Sequence, residues 1–128
     1  MAKRNVREDA LRAVYKVCSQ VGLENLSTKK LSEEIHASEA MIYYHFKNKQ
    51  AILEEAFLNI HREIDEMFRA HFIAKGLVLE RDTLAVCTQT WMLYYGFWRD
   101  HREETVFYDA FIHSHYISNE LWRKDNAS

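Results

Sequence analysis

The stretch Ser38–Gln50, "SEAMIYYHFKNKQ", sets three aromatics, a histidine and two lysines within thirteen residues. Ile42 and Phe46 stand four apart in it, the spacing of one helix face. Ser38 precedes them, and its hydroxyl can accept from the free N–H groups of a first helical turn. Just upstream, Ser27 or Thr28 offers the same cap to a segment of about two turns. Leu31 and Ile35 form the buried stripe of that segment. Two short helices meeting through a turn of very few residues, held by a helix before them, make a helix-turn-helix. The second helix of such a motif lies in the major groove of DNA.

The flanking sequence supplies the rest of that frame. Ala10, Leu11, Val14, Cys18 and Val21 recur at three- and four-residue spacing and predict a first helix from Val6 to Val21. Gly22 is expected to end it in the left-handed conformation. Beyond Lys47-Asn48, Asn48 caps a fourth helix over 49–75, with a stripe of Ala51, Ile52, Ala56, Phe57, Ile60, Ile64, Met67, Phe68 and Phe72 up to Gly76. A helix of that length can link two bodies. A fifth helix from Asp82 to Trp98 is apolar on most sides, which suits burial among other helices. Asp100 with Glu103 is read as the cap of a sixth helix through Val106, Phe107, Ala110 and Phe111. "ISNELWRKDNAS" at the end adds one turn before a polar tail.

Composition agrees with this all-α reading. Hydrophobic residues make up 48% and charged residues 28%, there is no proline, and there are three glycines. That leaves few of the turn residues a many-stranded β protein needs. The expected organisation is a helix-turn-helix DNA-binding domain (1–48), a connecting helix that completes it (49–75) and a helical C-terminal region (76–128). Cys18 and Cys87 stand alone and read as reduced thiols of a cytoplasmic protein. No apolar run is long enough to cross a membrane. The net charge of -2 hides a split: nine Lys/Arg face six Asp/Glu in residues 1–50, and eight face thirteen in 51–128. Positive charge confined to one end suits a polyanionic partner.

With Ile42 and Phe46 turned inward, Glu39, Ala40 and Met41 fall at the exposed start of the third helix, where base edges would be met. Tyr43, Tyr44 and His45 lie further along, where a hydroxyl or an imidazole can donate to phosphate. Lys49 sits in the first turn of the next helix, so its charge and the free N–H groups point the same way. His113 and His115 are two apart, about 200° around a helix, so both reach one metal only on irregular backbone. Metal-ligand runs, phosphate loops and nucleophile elbows are missing from the chain, which is read as neither an enzyme nor a cofactor carrier.

The run "LSTKKLSEEIHASEAMIYYHFKNKQAILEEAF", with its Tyr-x-His-Phe-x-x-Lys core, resembles the DNA-binding domain of the TetR family of bacterial transcriptional regulators. The resemblance covers Arg4 to Phe68. It implies that Thr28, Lys29 and Lys30 at the start of the second helix contact DNA together with Ser38, and that Glu39, Ala40, Met41 and Tyr44 lie in the groove. Tyr43, His45 and Lys49 would clamp phosphates. It further implies a homodimer on a pseudo-palindromic double-stranded operator, acting as a repressor released by a small-molecule effector. Two departures stand out. The family has glycine where this chain has His36, so the turn is expected to be built differently. Glu39 brings a carboxylate near phosphates, a penalty unless it accepts from a cytosine amino group.

Family members are normally longer, with C-terminal helices for effector and dimer, whereas only 76–128 follow the long helix here. The chain is a truncated form, a short member, or a protein whose fifth and sixth helices build the dimer. Trp91, Tyr94, Tyr95, Trp98, Phe107 and Phe111 are the candidates for a dimer interface or a pocket for a small apolar or aromatic ligand; ordinary core or dimer interface is the simpler reading. The competing functional class is a non-enzymatic interaction protein, pairing with another regulator through its C-terminal helices.

Overall fold

The computed structural model describes residues 4–78, 80–118 and 120–121, which hold six α-helices and no strand. Helix α1 (Val6–Val21) starts where the Asn5 side chain accepts from the Glu8 N–H at 3.1 Å. In α2 (Thr28–Ile35), Ser27 caps by accepting from the Lys30 N–H, and in α3 (Glu39–His45), Ser38 accepts from the Met41 N–H, each at 3.2 Å. Asn48 caps α4 (Lys49–Lys75) through the Ala51 N–H at 2.8 Å. Each cap satisfies one of the donors that a helix start leaves without a partner. At the far end of α4, Gly76 takes the left-handed conformation, and the N–H groups of Gly76 and Leu77 return to Ile73 and Phe72. Helices α5 (Thr83–Asp100) and α6 (Arg102–Ile112) complete the set.

Two turns differ from expectation. His36 itself adopts the left-handed conformation (φ 55°, ψ 44°), so the turn between α2 and α3 keeps the shape that a glycine there provides. Its N–H and that of Ala37 close the end of α2 onto Glu33 and Ser32. A side chain in this conformation costs about 1–2 kcal/mol. Gly22 has φ 83° but ψ 161°, which is an extended mirror-image conformation open to glycine and not the left-handed helical one.

Leu31 and Ile35 of α2, Ile42 of α3 and the adjoining Phe46 are buried with Ala10, Leu11, Val14 and Val17 of α1. The first half of α4, through Ile52, Leu53, Ala56 and Phe57, closes this core from the other side. Helix α6 packs on α1 and α4 and joins the same core. Phe107 meets Tyr15 edge-on at 5.6 Å, and Phe111 stacks on Phe57 at 4.5 Å.

Helix α5 is not buried among other helices, contrary to the expectation from its apolar sequence. It packs against α4 and α6 along one side, so Phe97 alone is buried while Leu84 (82%) and Trp91 (77%) stay exposed. Along α4, full burial stops at Ile64, although the apolar stripe runs on to Phe72. The expected cap of α6 is also corrected. Asp100 is the last residue of α5, where it pairs with Arg99 at 3.2 Å, and His101 at the junction makes no side-chain cap. The turn expected in 117–128 falls partly on residues outside the described ones; Glu120 and Leu121 are helical, and Leu121 is buried.

Candidate nucleic-acid interface

Because α2 and α3 turn their apolar residues inward, the outer face of the pair carries Lys29, Lys30, Ala40, Met41, Tyr43 and Tyr44. Tyr44 is 83% exposed, the most uncovered side chain of this face among its large hydrophobic ones. A groove of about 660 Å3 opens beside it, lined by Arg4, Asn5 and Val6 on one wall and by Met41, Tyr44 and His45 on the other.

Behind this face runs a short hydrogen-bond chain. The buried Thr28 hydroxyl donates to Glu39 Oε2 at 3.0 Å and lies 3.0 Å from the Tyr43 hydroxyl. A hydroxyl has one proton. With that proton on Glu39, Tyr43 must be the donor to Thr28, so the phenolic proton expected to reach phosphate points inward. Ser38 is exposed with its hydroxyl engaged by the Met41 N–H, and Lys30 Nζ donates to the Asn25 carbonyl at 2.9 Å. The half-buried His45 ring stands edge-on to Tyr44 at 5.1 Å. Lys49 is half-buried, with its ammonium 5.8 Å above the Tyr116 ring, within the range of a cation–π contact.

Arg7 is central to the geometry and had no sequence signal. It donates through Nη1 to the His45 carbonyl at 3.0 Å and through Nη2 to both oxygens of Glu55, and its guanidinium lies 4.7 Å over the Phe46 ring. One side chain of α1 thus holds the end of α3, the connection and the first half of α4 together. Its partners lie 38 and 48 residues away, beyond any periodicity rule. Arg4 does the same for the turn, donating to the His36 carbonyl at 3.3 Å.

The six C-terminal aromatics do not form one group. Trp91, Tyr94, Tyr95 and Trp98 line a shallow, wholly apolar cleft of about 210 Å3 on α5, where burial pushes the Tyr94 phenol up, assisted by the charge of Asp109. Phe107 and Phe111 are fully buried in the shared core and reach no cleft. Within that core the Tyr15 hydroxyl donates to the Ala56 carbonyl at 2.9 Å. Burial, and then the carboxylates of Glu104, Glu63 and Glu55, raise the Tyr15 phenol well above its ordinary value. Among the described residues no cluster of three or more His, Cys, Asp or Glu could hold a metal ion.

The sequence profile described as "Bacterial regulatory proteins, tetR family" matches residues 10–56. The class C tetracycline repressor protein of Escherichia coli is 38% identical over 58 residues, which is 43% of this chain and 26% of that protein. The class D tetracycline repressor protein of the same organism is 32% identical over 60 residues, 47% of this chain and 27% of that one. This chain therefore spans about a quarter of the length of these curated relatives. In fold, it is similar to a TetR family transcription regulator of Marinobacter aquaeolei VT8, with a TM-score of 0.71 at 17% identity over 95% of this chain and 61% of that one. A tetR family regulator of Shewanella sp. PV-4 gives 0.77 at 18% identity over 95% and 62%.

Proposed function

Since residues 10–56 make the chain a member of the TetR family of bacterial regulatory proteins, we propose that it is a sequence-specific regulator that docks α3 in the major groove of double-stranded DNA. The observation that carries this reading is the exposed row of Ala40, Met41 and Tyr44 on a helix whose opposite face is locked into the core through Ile42. A helix held in this way presents its outer side chains in a fixed register to base edges. Arg4 beside the same groove, with Lys29 and Lys49, supplies positive charge for the flanking phosphates.

The chain would act as a homodimer on a pseudo-palindrome, with half-sites about 34 Å apart, one helical turn. The apolar face of α5 is a suitable contact for the second copy. Repression is supported by the names of the curated relatives; the tetracycline in those names is not carried over, because the match spans about a quarter of each. Release by a small apolar or aromatic effector is the corresponding mode of regulation, since a ligand that favours one head separation shifts the population that fits the operator.

Selection of bound sites from a random duplex pool tests this, followed by a salt titration of the winning site with wild type and Lys49→Ala. An enriched inverted repeat, with a salt slope that the variant reduces by about one, is the expected result. Equal affinity for the selected site and random duplex at physiological salt would overturn the proposal.

A further inference from the structure

The hydrogen-bond chain behind α3 bears on which bases the helix prefers, an inference that rests on the DNA-binding reading above. We propose that Glu39 is a specificity-determining residue that selects a cytosine in each half-site, and that Thr28 is its positioning residue. Three observations support it. Glu39 is the first residue of α3 and is half-buried, at the end that the DNA-binding reading sets against the base edges. One of its oxygens is fixed by the hydroxyl of Thr28, itself 8% exposed and anchored at the start of α2. The second oxygen, Oε1, has no protein partner among the described residues.

The placement of these protons decides what the reading head can offer. Thr28 spends its proton on Glu39 and Tyr43 donates to Thr28, so this chain presents an acceptor and no donor at the Glu39 end. Ala40 and Met41 beside it have no polar hydrogen on their side chains. In the major groove guanine shows the acceptors N7 and O6, and thymine shows O4 and a methyl group. A carboxylate set against either acceptor is repelled. Adenine and cytosine carry an amino donor there, but in adenine N7 lies beside it and faces the carboxylate as a second acceptor. Cytosine has only C5–H at that place. The geometry therefore ranks cytosine first, adenine second, and guanine and thymine last. Without Thr28 the carboxylate would swing between rotamers, and the ranking would blur.

The test is site selection from a random duplex pool with the full chain, its Glu39→Gln variant and its Thr28→Val variant, then titrations of the winning duplex with that one pair changed. Wild type should select cytosine at one position of each half-site, and changing that pair should weaken binding about tenfold or more. Glu39→Gln should move the selection at that position to adenine, because an amide offers an acceptor to N6–H and a donor to N7. Thr28→Val, close in shape, should lower the wild-type discrimination there to about threefold or less while other positions keep theirs. An unchanged selection in Glu39→Gln would overturn the assignment with the DNA-binding reading intact. Unchanged discrimination in Thr28→Val would remove Thr28 from it. If none of the three proteins enriched any site, the DNA-binding reading itself would fall, and this assignment with it.

Discussion

Two aromatic groups in this chain arise from the same kind of sequence and end in opposite surroundings. Tyr15, Phe57, Phe107 and Phe111 meet across α1, α4 and α6 with ring centroids 4.5–5.8 Å apart, and the three phenylalanines are fully buried. Trp91, Tyr94, Tyr95 and Trp98 share α5, yet Trp91, Tyr95 and Trp98 remain largely exposed. The first group finishes the body that carries α3. The second forms an apolar surface that burial elsewhere in the chain does not account for. Apolar spacing marks a face as fit for burial and leaves open what covers it.

Substitutions in and around the two groups should separate them by the size of their effects. Phe107→Ala removes a ring with no exposed surface, so it should cost about 3–5 kcal/mol in denaturant unfolding and loosen the body formed by α1 to α4 although α6 is remote in sequence. A loss below about 1 kcal/mol would mean that α6 is an appendage and not part of that core. Arg7→Met should come next, at about 1.5–3 kcal/mol, since it leaves Glu55 and the His45 carbonyl without their charged donor. Its effect on DNA affinity should appear with an unchanged salt slope; a slope reduced by about one would identify Arg7 as a phosphate contact instead.

Tyr15→Phe should cost about 1 kcal/mol at neutral pH through the lost bond to Ala56. The pH dependence has a definite sign. The folded phenol holds its proton more tightly than the unfolded one, so its contribution is fully present below pH about 10 and is lost as pH rises above that value. Stability measured through the alkaline range should therefore fall less steeply in Tyr15→Phe than in wild type. His36→Gly should stabilise the chain by about 0.5–1 kcal/mol, by relieving the left-handed conformation at little cost in contacts. Trp91→Ala should have the smallest effect on the single chain, within about 0.5 kcal/mol. It should instead lower the mass observed in sedimentation if α5 faces a second copy, and an unchanged mass would move the dimer contact elsewhere.

The helices were legible in the sequence because their signals are local. Ser27, Ser38 and Asn48 each cap within three residues, and Val6–Val21 and 49–75 repeat their apolar residues at helical spacing. The outward face of α3 followed from the inward pair Ile42 and Phe46. His36 was misjudged because the left-handed region, although costly, is open to histidine when the following N–H groups close the helix. Helix α5 was misjudged because periodicity measures apolarity along one element and has no information on how many neighbours that element meets.

The number and order of the helices, the caps of α2, α3 and α4, and the side of the α2–α3 pair that turns inward could all be read from the amino acids alone. These are matters of hydrogen bonds and spacing within a few residues. The tertiary structure alone decided that Arg7 holds α3 to α4, that Thr28 binds Glu39 to Tyr43, and that Phe107 and Phe111 part from the aromatics of α5. Each depends on how residues of different helices sit against one another, and the relative placement of helices is set by the packing of the whole core.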